Sequence, residues 1–357
     1  NLFFKKQNMK RKSLSAKKII HNFYLDKLKN PKIRKIYFKF KEKIKKYKSD
    51  KFCVAISGGS DSLALAFLSK CFSIKENTKI YFCTVDHKLR PESSLEAKKT
   101  RKTLKKFGID CEILDLIKND INSNVQSKAR EGRYDLIFNK CNKKKINIIL
   151  TAHHENDLYE NFFIRLFRGS GLKGLSSFSK IKNNIKKNSN VNILRPLLNV
   201  TKNDLFYITN NTFKFHINDP SNENETFLRV RLRNLIDQSV KEGLSFKKLK
   251  RTIDNLHSTN ETVEFYVSQN IIQNSKYFPK KKTIIIKEDF FKQPNEIVLR
   301  SLNELIITIG NKPNFTRGSK LTALLTRLKS NTNKSKFTLS GCIIEKFNKS
   351  TIIYPEN

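Results

Sequence analysis

The sequence predicts an α/β protein, a doubly wound parallel sheet followed by a smaller helical and mixed C-terminal domain, and three observations carry that prediction. Short β-type apolar runs alternate with helical stretches between positions 51 and 152, at a period of about 30 residues, the mark of parallel strands joined by crossover helices. The first run, Phe52 to Ile56, leads directly into Ser57-Gly58-Gly59-Ser60-Asp61-Ser62 and then a helix-like run. Polar clusters follow the second and fourth runs, and in an open parallel sheet ligands bind beyond the carboxyl ends of the strands.

The elements follow in order. Residues 1–50 form a very basic leader with apolar positions at Ile19, Ile20, Phe23, Leu25 and Leu28 before Pro31, then Ile36, Tyr37 and Phe40. Helical spacing on both sides of the proline predicts two short helices lying on the next domain with lysines outward. Met9 is the single methionine and a candidate natural start. Strands are predicted at 51–56, 80–85, 111–116 and 146–152, and helices at 61–72, 94–107 and 123–142, the last opened by a capping box from Ser123 to Gln126. A further helix starting near 153 places His153, Asp157 and Glu160 on one polar stripe, with Leu158, Phe162 and Leu166 facing the sheet. Residues 179–194 read as a Lys/Asn-rich mobile insert. Beyond about 235 the pattern gives helices at 246–274, 294–308 and 319–328 and β-type runs at 283–287, 337–345 and 351–354. The domains are expected at 1–50 (basic helical extension), 51–225 (nucleotide-binding domain) and 226–357 (linker helix and smaller C-terminal domain).

Composition bounds the function. The chain has 357 residues, 38% of them hydrophobic, and no apolar run approaches the length of a membrane span. Its formal net charge of +40 favours polyanions, RNA first, although an excess of Lys, Asn, Ile and Phe is also what AT-rich coding produces. Six cysteines stand without any C-x-x-C pair, which reads as small buried side chains in a reducing compartment rather than a disulfide framework, a zinc site or an iron–sulfur site.

The Ser57–Ser62 turn is an anion cradle. Strand, Gly-rich turn and helix start gather free N–H groups and a positive helix end around one point, and the serines add hydroxyl donors. The ligand implied is a phosphate chain. No lysine follows the glycines, so this is not the GxxxxGK[ST] loop. Asp86 to Ser93 follows the second strand; His153 to Glu160 and then Arg165 to Gly171 follow the fourth. All three converge on the edge that carries the turn. The adjacent pair His153 and His154 invites a metal reading, but their side chains diverge by about 100° on a helix with no third soft ligand, so no protein-held metal centre is expected.

The turn resembles the SGGxDS signature of the PP-loop ATP pyrophosphatases. The ordered series SGGSDS, VDHKLRPES, AREGRY, TAHHENDLYE with RLFRGSGLKGL, RPLL and DPSNENETFLRVRLR, spanning about 51–235, is similar to that of the bacterial tRNA(Ile)-lysidine synthetases; further on, only FTLSGC near 337–342 is similar. Two positions depart from the family pattern: Lys88 stands where a glycine is common, and Tyr159 where a small or polar residue is usual.

The resemblance implies a PP-loop, adenine-nucleotide α-hydrolase-like fold and a two-step reaction. ATP adenylates C2 of the wobble cytidine (position 34) in an isoleucine tRNA with a CAU anticodon, and free L-lysine then displaces AMP. It further implies ATP binding by Ser57, Gly58, Gly59, Ser60, Asp61 and Ser62, with Mg2+ expected and Asp61 either orienting the loop or sharing that ion. Asp61, Arg130, Arg133, Asp157 and Glu160 take catalytic roles, the two later carboxylates binding and deprotonating the lysine amine. Asp86, His87, Arg90, His153, His154 and Arg168 contact substrate, and Arg195, Arg229, Arg231 and Arg233 contact tRNA. The protein is expected in the cytoplasm, away from membranes, and a homodimer is allowed but not specified by the sequence. Competing readings are a PP-loop tRNA 2-thiocytidine synthetase, against which the missing C-x-x-C pairs count, and a basic RNA-binding module with a silent loop.

Overall fold

The computed structural model describes residues 18–88, 91–116, 125–178, 182–183, 191–218, 226, 228–310, 318–330 and 334–356. The expected capping box at Ser123 lies outside them. The chain divides into two compact units, Asn1–Arg251 and Thr252–Asn357.

In the first unit, a helix over 18–27 (α1) precedes α2 (Pro31–Lys45). Asn30 starts α2, its side chain accepting from the N–H groups of Lys32 and Ile33 at 3.0 and 3.1 Å, while Pro31 sits at the first helical position, where no N–H is needed. Ile33, Ile36, Tyr37, Phe40 and Ile44 recur at helical spacing and are buried, so the basic leader belongs to the core and keeps lysines outside.

β1 (Lys51–Ile56) is the central strand, flanked in parallel by β2 (Lys79–Asp86) and β4 (Ile148–Leu150), and with β3 (Cys111–Asp115), β5 (Lys182–Asn183) and β6 (Asn192–Leu194) the order is β3-β2-β1-β4-β6-β5. Residues alternate between the faces of β1. Phe52, Val54 and Ile56 join a core with α1, α2, α3 (Ser60–Glu76) and α8 (Lys202–Thr212), whereas Cys53 and Ala55 join one with Ile137, Phe138 and Cys141 of α5 (Val125–Lys143). Helices on both faces make the sheet doubly wound. α4 (Ser93–Lys106) joins β2 to β3, adding Leu104 to the first core.

Three details differ from the sequence reading. The expected strand at 146–152 is confined to Ile148–Leu150. Within the Lys/Asn-rich insert, Asn192–Leu194 is β6, parallel to β4, and Lys182–Asn183 is β5, antiparallel to β6. Three apolar positions, Val191, Ile193 and Leu194, suffice to complete the sheet because each is buried, and the surrounding polar run hides them from pattern reading. The third is the helix after β4, α6 (Glu155–Phe167): it starts two residues later than expected, and Leu166 is 45% exposed rather than packed on the sheet.

α6 is followed by the short α7 (Leu172–Ser176), α9 (Leu228–Lys241) and α10 (Phe246–Asn274). Tyr159 is buried, stacked on Phe246 with ring centroids 4.9 Å apart, and its hydroxyl donates to Glu155 Oε1 at 2.6 Å. A small residue there would leave a void under α6.

The second unit is an antiparallel sheet, β7-β8-β11-β10-β9, formed by Ser275–Phe278, Thr283–Lys287, Ser350–Pro355, Cys342–Phe347 and Lys334–Leu339. The single β-type run expected at 337–345 is a hairpin, turned at Ser340 and Gly341, both with positive φ. α11 (Asn295–Gly310) and α12 (Gly318–Ser330) bury Val298, Leu302, Ile306 and Leu325 with Ile286, Ile344 and Ile353. Among the described residues no helix is long and apolar enough to cross a membrane.

Candidate active site

Strand order reverses between β1 and β4, because the chain runs outward through β2 and β3 on one side and resumes on the other. A crevice opens at such a switch point beyond the carboxyl ends of the two strands. The Ser57–Ser62 turn leaves β1 there, and His153 and His154 leave β4.

The turn is held from within. Gly58 has φ +90°, a region L side chains rarely adopt. Its N–H donates to Ser62 Oγ at 3.1 Å and its carbonyl accepts from Ile217 N–H at 3.0 Å. Ser62 Oγ in turn donates to Gly59 O at 2.9 Å and accepts from Ser57 Oγ at 3.2 Å. Ser62 is buried. Gly58 N–H and the Ser62 hydroxyl therefore brace the turn rather than face a ligand. What remains outward is the start of α3, where Gly59 is the N-cap and no side chain caps the first-turn N–H groups, together with Ser57 and Ser60. Thr209 Oγ1 ties this start down, donating to Ser60 O at 2.6 Å. Ile217, Thr209 and Thr100, which lies against Gly58, carry no motif that would have singled them out.

Asp61 faces α6. Its Oδ1 accepts from Ser60 Oγ at 3.2 Å and its Oδ2 lies 3.4 Å from His154 Nε2. The expected stripe of His153, Asp157 and Glu160 does not form as one. His154 is the N-cap of α6, so His153 precedes the helix, and the Asp157 carboxylate bends back to accept from His154 N–H at 2.9 Å. A carboxylate at that first-turn position satisfies a donor the helix cannot. Glu160 is buried and accepts from Arg233 Nε at 2.5 Å. That ion pair joins α6 to α9 and commits Arg233 to the protein's interior chemistry, away from the free phosphate contact expected of it.

The two histidines are shifted in opposite directions. Burial opposes charge on His154 but is outweighed by the hydrogen bond to Asp61 and the charges of Asp157, Asp61 and Glu160, so its pKa lies above the ordinary value. Burial pushes His153 down to about 4, with Asp157 opposing and Arg195, Arg130 and Arg229 reinforcing the fall. Thr151 Oγ1 and His153 Nδ1 are hydrogen-bonded at 2.9 Å. His153 also meets the edge of Phe178, whose other neighbour is the Arg195 guanidinium, 4.6 Å from the ring centroid and donating to Phe178 O at 3.2 Å. Arg130 lies over the Tyr134 ring at 5.6 Å. An imidazole held neutral among arginines and one whose charged form is favoured among carboxylates thus divide the crevice into a cationic and an anionic half.

A raised pKa makes His154 a contributor to stability at low pH. Its share is complete below the ordinary imidazole value of about 6.5 and is lost as pH rises through the folded-state value. His154→Gln should therefore lower the melting temperature most below the ordinary imidazole value of about 6.5 and progressively less as pH rises above it, read by thermal unfolding of both proteins in chelator; an equal deficit at low and high pH would contradict the charge assignment.

The remaining candidates separate. Asp86 is buried; its Oδ1 accepts from Ser93 Oγ at 2.8 Å and Lys88 N–H at 3.1 Å, and its other oxygen accepts from Ser94 Oγ. These bonds, outweighing burial, hold its carboxyl below the usual range. It organises the turn after β2. Lys88 in that turn has φ +49°, which explains why glycine suits the position. His87 follows β2 beside it, and Arg90 lies outside the described residues. Arg133 is half-buried on α5, and Arg168 is exposed at the end of α6. Arg229 and Arg231 are exposed on α9, Arg231 donating to Thr226 O at 2.8 Å, whereas Val230 and Leu232 between them are buried. All six cysteines are free and buried, and among the described residues no group of His, Cys, Asp and Glu comes together to hold a metal ion.

The PP-loop domain family matches residues 33–240. The tRNA(Ile)-lysidine synthase of Orientia tsutsugamushi (strain Boryong) is 35% identical over 314 residues, covering 86% of this chain and 70% of that protein. The tRNA(Ile)-lysidine synthase of Rickettsia typhi (strain ATCC VR-144 / Wilmington) is 33% identical over 311 residues with the same coverage. Among solved structures, a U34-tRNA thiolase from Methanococcus maripaludis with its 4Fe-4S cluster shares the fold at a TM-score of 0.52 and 17% identity, over 64% of this chain and 79% of that one. Nucleotide turn, strand order and sequence agree, and the chain belongs to the tRNA(Ile)-lysidine synthase family of PP-loop proteins.

Proposed function

We propose that this enzyme ligates free L-lysine to C2 of the wobble cytidine, position 34, of the isoleucine tRNA with a CAU anticodon, using ATP and releasing pyrophosphate and AMP. Family membership carries this reading, and the uncapped start of α3 at the switch point supports ATP as the second substrate. The cytidine O2 attacks the α-phosphorus and pyrophosphate leaves; the lysine Nζ then attacks C2, loses a proton, and AMP departs with O2. Esterifying the oxygen makes displacement feasible, since a carbonyl oxygen is otherwise a very poor leaving group.

The chain's own groups divide the work. The first-turn N–H groups of α3 with the Ser57 and Ser60 hydroxyls would hold the departing pyrophosphate, where negative charge builds up. Arg130 and Arg133 would offset that charge or hold the cytidine. Asp61, a partly exposed hard-oxygen donor beside the cradle, fits a magnesium ion that keeps most of its ligands as phosphate and water; the ion would neutralise phosphate charge. The His154 imidazole, 3.4 Å from Asp61 Oδ2, would hold Asp61 in place. Asp157 is the base candidate for the lysine amine, because Glu160 is already neutralised by Arg233. Exposed Arg168, Arg229 and Arg231, with Arg195 at the Phe178 face, would contact tRNA. A reducing cytoplasm suits the free thiols.

Asp157→Asn should lower lysine transfer by about 100-fold while tRNA binding persists, measured by single-turnover lysine incorporation beside a filter-binding assay; wild-type transfer would remove Asp157 from the mechanism. The function itself is tested by incubating the protein with ATP, labelled lysine and unmodified isoleucine tRNA. Lysine incorporation with AMP release supports the reading. Sulfur-dependent product would indicate thiolation instead, and binding without turnover a silent RNA-binding module.

A further inference from the structure

Arg165 is the cation on α6 that the fold leaves unanswered. Its Nε is buried with no hydrogen-bond partner, and so is the Asn161 Nδ2 one turn earlier. Arg165 enters no ion pair among the described residues, and its pKa is held down by burial and then by the charge of Arg168. A half-buried guanidinium beside another arginine and without a carboxylate is unfavourable unless an anion completes the site. Elsewhere on the same helix such a charge is matched: Glu160 has Arg233.

The surroundings narrow the anion. The turn after α6 brings α7 back alongside, so that Phe178 meets His153 and Gly174 meets Arg165. A Cβ on Gly174 would lie 2.7 Å from Ser170 Cβ and 3.6 Å from Arg165 Nη1, so the glycine lets the α7 backbone come close to the guanidinium. Asp157, Asn161 and Arg165 follow one another at four-residue steps, within a sector of about 80° on one helix face. The rise from Asp157 is about 6 Å to Asn161 and about 12 Å to Arg165, and long helical side chains lean toward the N-terminus, which carries the guanidinium toward the turn of Asn161. The Asp157 carboxylate bends the same way, back to the His154 N–H, so the Arg165 guanidinium lies about 10–12 Å along the axis from it. An extended lysine spans about 7 Å from Nζ to its carboxylate carbon, six bonds of ordinary length, and a hydrogen bond of about 3 Å at each end lets it reach between groups about 12 Å apart.

We propose that Arg165 and Asn161 bind the α-carboxylate of the lysine substrate, so that one face of α6 holds the amine at Asp157 and the carboxylate two turns later. The assignment rests on the lysine ligation proposed above. It is a carboxylate rather than a tRNA phosphate because the Arg165 Nε and Asn161 Nδ2 are buried, whereas Arg168, Arg229 and Arg231 are the exposed cations a nucleic-acid backbone would meet.

The test deletes the carboxylate from the ligand and the arginine from the protein. With wild-type enzyme, ATP and tRNA, lysine should be preferred over lysinamide and over cadaverine by about 10–100-fold in kcat/KM, the range for a charge-assisted contact. Arg165→Ala should collapse that preference toward one by raising the KM for lysine. Wild-type enzyme using cadaverine as well as lysine would overturn the proposal, as would an Arg165→Ala enzyme that keeps the preference and instead loses tRNA affinity with a shallower salt dependence, the signature of a phosphate contact. Should Arg165→Ala not fold, Asn161→Ala and the wild-type ligand comparison decide alone. If the wild-type enzyme attaches no amine to tRNA, the ligation reading falls first, and that result differs from equal use of lysine and cadaverine.

Discussion

Gly58→Ala is expected to lower lysine-dependent AMP release by about 100-fold or more, while the protein stays folded and still binds tRNA. A new Cβ would stand 2.6 Å from Thr100 Oγ1 and 2.9 Å from Ile217 Cδ1, at a residue whose φ is +90°. Strain of this kind costs of order 1–3 kcal/mol, and the backbone would relieve it by shifting. Both polar groups of Gly58 are tied, one to Ser62 and one to Ile217, so the shift moves the start of α3 with it. Displacing a preorganised donor set by about 1 Å is enough for a 100-fold loss. Steady-state kinetics with thermal unfolding alongside check this. A variant with wild-type kcat/KM for ATP would show that the turn does not hold the phosphates.

Glu160→Gln is expected to lose both stability and lysine transfer, and the structure gives a different reason from the one the sequence suggested. Glu160 is 5% exposed and its partner Arg233 lies 73 residues away in the chain, so replacing the carboxylate strands a guanidinium between α6 and α9. Breaking a buried pair costs about 3–5 kcal/mol; because the Arg233 side chain is 35% exposed, solvent should reduce this to about 2 kcal/mol. Arg233→Gln should cost a similar amount, and Glu160→Gln with Arg233→Gln clearly less than the sum, since neither charge is then left alone. Denaturant unfolding of the four proteins measures the coupling. Additive losses would mean that the pair is not a clamp and would return Glu160 to the list of lysine-binding carboxylates.

The comparison of Glu160 with Ser57–Ser62 shows what pattern can reveal. The turn is contiguous, its chemistry follows from glycines between a strand and a helix, and the alternation of Phe52, Val54 and Ile56 with Cys53 and Ala55 already implies a sheet covered on both faces. The motifs after β2 and β4 fall at the carboxyl edge of the sheet for the same reason. Spacing alone does not say which member of a motif points inward. Ser62 and Gly58 bond each other, Asp86 closes its own turn, and His153 falls outside the helix because Asp157 makes His154 the cap. Partners distant in sequence, Arg233 for Glu160 and Ile217 for Gly58, leave no local signature. Three residues of strand at Asn192–Leu194 were hidden for a simpler cause, a polar run on both sides of a segment too short to show a period.

The central claim is that the bend after β1 grips the outer phosphates of ATP so that the inner phosphorus passes to the nucleobase. Supplying ATP labelled at the α-phosphorus with unmodified isoleucine tRNA, and withholding lysine, tests it most directly. The account predicts label on the tRNA with release of pyrophosphate, and its discharge as AMP once lysine is added. Release of ADP and inorganic phosphate, or label that never reaches the tRNA, would contradict it.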